Sequence, residues 1–408
     1  MVSFLVCLVV LIGGYFLYGK LVSKTFGPDD RETPAVTMED GVDYVVMPGW
    51  RIFLIQLLNI AGLGPIWGAV GGAMWGPAVF LWITLGTIFA GAVHDFASGF
   101  MSIRNKGLSV AELAGIYMGK FMKNLMRVFS VILLFMVGVV FAVGPAGLLS
   151  YLCGQGGAVN IFTNKTFWLV VVFVYFFIAT FLSIDKIIGK IYPVFGICLI
   201  VMAVGVGCGI FVKGFTIPEI FPLRNMHPSG TGMWPGMFIS VACGAISGFH
   251  SLVSSGTSAK QLDCEKDAKL IGYGSMLIEC ALAVVSLICI GYIYTKVGGA
   301  DAFKIPPTKV FASGISEMLA SVGLDSPEAK KTTFGLLILA VSAFCLTSLD
   351  TATRLARYMF QEFWLDSTKG ETAENVTGYK KILTNPWVAT LITVVLGAST
   401  DTDRYSDA

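Results

Sequence analysis

Four stretches of this 408-residue chain place polar or ionisable side chains inside apolar surroundings. His94 and Asp95 stand side by side in Phe89-Ala-Gly-Ala-Val-His-Asp-Phe-Ala-Ser98. Ser247, His250, Ser251, Ser254 and Ser258 recur at helical spacing between Cys243 and Ser258. Glu279 is isolated within the apolar run Ser275 to Ile290, and Thr347, Ser348, Asp350 and Thr351 lie just before Arg354 and Arg357. A carboxylate taken out of water exchanges a proton near neutral pH more readily than an exposed one, which makes Asp95 and Glu279 candidates for proton handling. The hydroxyl oxygens of Thr347, Ser348 and Thr351 suit a small hard cation such as Na⁺ equally well. Each group also has a plainer reading. His94 and Asp95 could anchor neighbouring helices, the serine stripe could serve interhelical hydrogen bonds, and Glu279 could be a satisfied structural residue. Asp350 with Arg354 at i+4 has the spacing of a salt bridge at a helix end.

The elements that hold these residues follow from composition. Hydrophobic residues make up 55% of the chain and charged residues 13%, about half the charged share of an ordinary soluble domain. A net charge of +2 without a dense basic patch gives no reason to expect nucleic acid, and the partner this composition demands is the lipid bilayer. A hydrocarbon core of about 30 Å needs about twenty apolar residues per helix. Ten runs qualify, near 2–18, 52–76, 77–100, 126–149, 166–183, 190–212, 235–258, 270–295, 333–353 and 386–398, the last of them short. The first run has no basic residue before it and no small-residue cleavage site after it, so it reads as a membrane anchor. The stretch Ser109 to Lys123 reads as an amphipathic surface helix, with Val110, Leu113, Ile116 and Tyr117 on one side. Of the nine cysteines, Cys7, Cys198, Cys208, Cys280, Cys289 and Cys345 lie inside apolar runs, and no close CxxC or Cys/His pairing suits a metal. Lys and Arg concentrate in alternate loops: Lys20 and Lys24, Arg104 to Arg127, Lys186 and Lys190, Lys260 to Lys269, and Arg354 with Arg357. That alternation puts these loops in the cytoplasm and the N-terminus outside, against the counter-signal of Lys304, Lys309, Lys330 and Lys331.

Two of the runs are interrupted. The second contains Asn59-Ile-Ala-Gly-Leu-Gly-Pro65 followed by Gly68, Gly72 and Gly76. A glycine at every fourth position permits close helix packing, but Gly62, Gly64 and Pro65 together argue for unwound backbone. Backbone released from a helix within a membrane must find protein partners or line a wet cavity, where its polar groups can bind ions or substrate. Asn59, Gly62, Gly64 and Pro65 are therefore candidate substrate-binding residues, with Ser247, His250, Ser251 and Ser254 in the seventh run as their counterpart. The interrupted runs are five apart, an odd offset that makes them run in opposite directions, as inverted repeats require.

Three blocks of the first half are Met47-Pro-Gly-Trp-Arg-Ile-Phe-Leu-Ile-Gln-Leu-Leu-Asn-Ile-Ala-Gly-Leu-Gly-Pro65, Gly91-Ala-Val-His-Asp95 and Ser102-Ile-Arg-Asn-Lys-Gly107. Further blocks are Ser247-Gly-Phe-His-Ser251, Ser258-Ala-Lys-Gln261, Thr347-Ser-Leu-Asp-Thr-Ala-Thr-Arg354 and Asn385-Pro-Trp-Val-Ala-Thr390. Together these blocks resemble the carbon starvation protein A family. The resemblance implies a multi-pass protein of the bacterial inner membrane, induced by starvation and associated with peptide uptake, with relatives that import pyruvate together with protons. It also implies distant kinship to the amino acid, polyamine and organocation transporters. The expected fold is an all-α polytopic membrane protein of about ten transmembrane helices, built as two inverted five-helix repeats with discontinuous second and seventh helices. On that template 51–212 forms the first repeat and 235–398 the second, within a single transporter domain over 1–408, and the ninth run carries the hydroxyls of a cation site. Family members usually continue through further helices, so the second repeat is expected to lack its last one.

The leading expectation is thus a proton- or cation-coupled importer of peptides or small carboxylates such as pyruvate. It would have no cofactor beyond a coupling H⁺ or Na⁺, and coupling would involve His94, Asp95, Glu279, Thr347, Ser348, Asp350 and Thr351. A channel is the alternative from another class, since glycine breaks and hydroxyl stripes also line pores. An enzyme is disfavoured, because neither a G-x-S-x-G nor an H-E-x-x-H motif occurs. Nothing in composition or spacing points to a particular oligomeric state.

Overall fold

The computed structural model describes residues 2–41, 43–154, 160–179, 219–297, 299–320, 326–365 and 375–399, with isolated positions between 197 and 207. Apolar runs in lipid must satisfy their backbone internally, and here they do so as helices. One isolated bridge, Met47 to Leu262, is the extended pairing among the described residues. Five helices are long and apolar enough to cross a membrane: Val2–Phe26, Val79–Arg104, Lys120–Gly154, Glu265–Val297 and Pro327–Trp364. They correspond to the first, third, fourth, eighth and ninth runs. The fifth and tenth runs form shorter helices, Lys165–Ala179 and Pro386–Ser399. The sixth run, 190–212, falls almost wholly outside the described residues.

The second run is broken as its sequence demands. Gly49–Ile60 and Gly64–Trp75 meet at a bend of 45°. Pro65 sits in the opening turn of the second half, where its missing N–H leaves no intrahelical bond unmade. The seventh run breaks as well. Its first part winds unevenly to Ala245, then Ile246 and Ser247 adopt extended backbone (φ −157° and −122°), and Gly248–Gly256 resumes the helix. The serine stripe therefore starts at the break and does not lie on one continuous helix.

The two broken segments pack against each other. A Cβ on Gly64 would lie 2.1 Å from Cys243 Sγ, one on Gly68 3.1 Å from the Ser240 carbonyl, and one on Gly72 2.2 Å from Val241 Cγ1. On the other side of the break, Gln56 bonds Ser254 and Ser258. Positions rising along the second segment thus meet positions falling along the seventh, so the two run antiparallel. The glycine stripe serves this close approach, and the bend lies beside it at 61–63.

Two expectations need correction. The stretch Ser109 to Lys123 is not one surface helix: Val110–Met118 stops at Gly119, whose positive φ of 88° breaks it, and Lys120 already opens the fourth segment. Leu113 is buried while Ile116 and Tyr117 are exposed, because the inward face also takes Glu112, held by Lys123 and Arg127. The loop after the eighth segment contains a helix that the search for long apolar runs passes over, Pro307–Ala320. Its fourteen residues span about 21 Å, too short to cross alone. Phe311, Ile315 and Met318 are nonetheless fully enclosed, and Gly314 lies against Cys289.

The glycine contacts make a paired prediction. Gly64→Ala drives a methyl into Cys243 and should cost about 1–3 kcal/mol. Gly71→Ala, on the same helix with nothing within 4 Å of its Cβ, should stay within about 1 kcal/mol of the parent. Thermal unfolding of the detergent-purified variants separates the two.

Candidate functional site

Gln56 is the hinge post of the site. It is fully enclosed, donates through Nε2 to Ser254 Oγ at 2.9 Å, and accepts the Ser258 hydroxyl at Oε1. One amide thereby ties the two antiparallel segments together below their breaks. The sequence offers a signal for this residue, a lone glutamine in the run Phe53 to Leu58, but its partners lie about two hundred positions away.

Asn59, three residues nearer the break, has no exposed surface. Its Oδ1 accepts from Thr351 Oγ1 at 2.8 Å, and its backbone carbonyl is 3.0 Å from Ser348 Oγ. That hydroxyl also lies 3.3 Å from the Leu58 carbonyl and 3.1 Å from the Phe344 carbonyl. A serine has one proton to give, so one donor faces three carbonyls. A Cβ on Gly62 would press within 2.9 Å of the same Ser348 oxygen. The second segment's break therefore meets the ninth segment's hydroxyls through Ser348 and Thr351. Thr347 instead bonds back to Phe344 in its own helix. Asp350 turns to another face, where Arg354 Nε lies 3.6 Å from Oδ2, both residues being buried. Gly64 and Pro65 take part through backbone packing, Pro65 lying against Gly244.

On the seventh segment the hydroxyls are largely occupied locally. Ser251 bonds the Gly248 carbonyl at 2.8 Å, Ser254 is held by Gln56, and Ser247 lies 3.7 Å from Cys243 Sγ. His250 is different. It is completely buried, and its Nδ1 stands 3.4 Å from Asp95 Oδ2 and 3.4 Å from Glu279 Oε2, with Met276 Sδ at 3.2 Å. Three residues from three separate runs meet at one imidazole nitrogen. His94 is adjacent to Asp95 in sequence but points elsewhere and is partly exposed, keeping contact with Asp95 Oδ1 at 3.2 Å. Several buried polar atoms have no hydrogen-bond partner: Asn59 Nδ2, His250 Nε2, Asp95 Oδ2 and both oxygens of Glu279. Buried polar groups are normally satisfied, so these unsatisfied atoms beside the two helix breaks single out a candidate binding region.

The basic loops close one end of this region. Val45 and Met47 donate backbone bonds to the carbonyls of Lys260 and Gln261. The Lys260 ammonium lies 4.3 Å above the Tyr358 ring and 5.3 Å from that of Tyr44. Arg357 pairs with Asp43 at 3.2 Å, and Arg104 with Glu265 at 2.8 Å. Burial pulls the Lys260 amine below the usual lysine range. Burial, aided by Asp40, Glu362 and Asp43, pushes the Tyr44 phenol up to about 12.

Broken antiparallel helices meeting inside a lipid-spanning bundle, with unsatisfied polar atoms at their breaks, define a membrane transporter of the discontinuous-helix class. The solved structure of MhsT in complex with L-phenylalanine shares this fold, with a TM-score of 0.57 at 16% identity over 86% of this chain and 79% of that one. A family model described as carbon starvation protein CstA matches residues 1–150, 148–303 and 296–407, and the chain belongs to that family. An uncharacterized membrane protein of Haemophilus influenzae is 38% identical over 331 residues, 70% of this chain and 89% of its own length. The peptide transporter CstA of Bacillus subtilis is 30% identical over 446 residues, 87% of this chain and 73% of that protein. The pyruvate/proton symporter BtsT of Escherichia coli is 30% identical over 340 residues, 68% of this chain, and the match covers 46% of its length. The protein is accordingly a multi-pass protein of the bacterial inner membrane.

The interlock makes its own prediction. Gln56→Leu leaves two buried serine hydroxyls without their partner, which should cost about 1–3 kcal/mol each in unmade hydrogen bonding. Its melting temperature in detergent should fall clearly below the parent's, and a change confined to uptake at unaltered stability would contradict the structural role.

Proposed function

We propose that this chain is a secondary active importer of small peptides that works by alternating access about its paired helix breaks. The observation that carries this reading is the antiparallel meeting of the second and seventh segments, with Asn59 Nδ2 and His250 Nε2 left unpartnered beside the breaks. Half-helix ends and freed backbone at such a junction offer N–H groups to a carboxylate and carbonyls to an amine, which are the two ends of a peptide. The name of the Bacillus relative supports peptides as the cargo class. Asn59, Gly62, Gly64, Pro65, Ser247, His250, Ser251 and Ser254 are the proposed substrate contacts. The two inverted repeats divide the chain at 51–212 and 235–398.

Coupling is assigned to protons or to a small cation. Ser348 and Thr351, set against the Leu58 and Asn59 carbonyls, supply an oxygen-rich cluster for a cation. Asp95 and Glu279 supply the proton-binding alternative. His94 contacts Asp95, and Thr347 and Asp350 are the remaining proposed coupling residues, Asp350 held in an ion pair with Arg354. Nothing in this arrangement resembles a nucleophile aligned with a base, so we read the chain as a carrier and not an enzyme. The second reading is pyruvate uptake with a proton, which the Escherichia relative favours by name.

The test is uptake into proteoliposomes of the full chain. Labelled alanyl-alanine should accumulate when an inward proton or Na⁺ gradient is imposed, saturate with concentration, and be reduced at least tenfold by Asn59→Ala in protein that still inserts. Preferential accumulation of pyruvate selects the second reading, and uptake of both at gradient-independent background overturns the proposal.

A further inference from the structure

We propose that Asp95, His250 and Glu279 form a single proton-binding site in which two carboxylates share one imidazole. The inference rests on the transporter reading and names the coupling residues within it.

Nδ1 of His250 stands 3.4 Å from Asp95 Oδ2 and 3.4 Å from Glu279 Oε2. An imidazole nitrogen carries one proton at most, so it can serve as donor to one carboxylate at a time. All three side chains are fully enclosed, and neither Glu279 oxygen has a hydrogen-bond partner. Among the described residues, no Lys or Arg lies within ion-pair distance of either carboxylate. Two bare carboxylates against one imidazolium would leave an uncompensated buried charge, which is costly in a low-dielectric interior. The cluster therefore holds one proton more than a simple ion pair, and the titration belongs to the group rather than to one residue.

The surroundings fit exchange of that proton. His94 faces Asp95 from the same helix. Cys243 of the seventh segment and Cys280 of the eighth face Glu279, with Cys7 of the first segment beyond Cys280. Charged groups on the other helices packed nearby are engaged elsewhere: Arg51 over Trp50, Lys269 over Tyr15, Lys309 over Tyr151, and Glu317 with Lys296. A narrow cavity touches Asp95 and continues along Gly99, Ser254, Ser258 and Leu262 toward the loop end of the bundle. A water molecule in that cavity would give the proton a first step toward the loop end, and no bond other than O–H or N–H would form or break. His250 also belongs to the seventh segment, one turn from its break, so protonation of the cluster acts on an element the transport cycle moves.

Infrared difference spectra of the full chain in lipid, titrated through neutral pH, test the site without a substrate. The wild type should show a protonated-carboxyl band that changes with pH. The band should be lost in both Glu279→Gln and Asp95→Asn, since each leaves one carboxylate paired with one imidazolium, and kept in Asp350→Asn. A band that persists in either of the first two variants, or is absent from the wild type, overturns the proposal. In proteoliposomes Glu279→Gln should lose all stimulation of labelled alanyl-alanine uptake by a proton gradient, whereas retained stimulation overturns it. A wild type that moves no peptide or pyruvate would instead overturn the transporter reading, while the infrared result would stand separately.

Discussion

Backbone polar groups cannot be left unsatisfied in hydrocarbon, and this chain interrupts two of its membrane segments all the same. Much of the remaining architecture answers that constraint. The freed Asn59 carbonyl is met by Ser348 from the ninth segment at 3.0 Å. The Gly244 carbonyl, beside the seventh break, is met by Thr87 at 3.3 Å. Gly91 brings the third segment so close that a Cβ there would lie 2.1 Å from the Ala245 carbonyl. The breaks are enclosed by protein on all these sides, and that enclosure is what allows an interior lacking regular helix to exist within the bundle.

The same constraint explains what could be read from sequence. Gly62, Gly64 and Pro65 are visible because a helix break in lipid needs residues that tolerate it, and the odd spacing of the two breaks gives their opposed directions. The individual candidates Asp95, His250 and Glu279 are visible because ionisable residues are rare in apolar runs. Their convergence on one nitrogen is not, since it depends on how three helices pack across more than one hundred and eighty positions of chain. Gln56 escaped for the same reason. The helix Pro307–Ala320 escaped because its pattern is amphipathic and its length falls short of a span. The glycine stripe carried two meanings at once, and the contacts of Gly64, Gly68 and Gly72 show that its main use is close packing.

Placed together, the parts suggest a division of labour. The interlock of Gln56 with Ser254 and Ser258 couples the two broken segments on the side of the basic loops. There the Tyr44, Lys260 and Tyr358 stack and the Arg357 and Asp43 pair hold the loop before the second segment against the ends of the seventh and ninth. Lys260 and Arg357 are buried in this closure, so opening it must return both cations to water. The proposed proton-binding cluster of Asp95, His250 and Glu279 lies between this closure and the breaks.

Alternating access about the breaks is the central claim, and distances at the two ends of the bundle test it most directly. Spin labels at Glu39 and Asp263 report on the loop end, and labels at Leu223 and Asp301 on the other, in a background stripped of native cysteines, Cys153 being exposed and Cys264 partly so. Adding alanyl-alanine or pyruvate should lengthen one pair while the other shortens. Both pairs unchanged by either compound, or both lengthening together as a pore would require, would contradict the account.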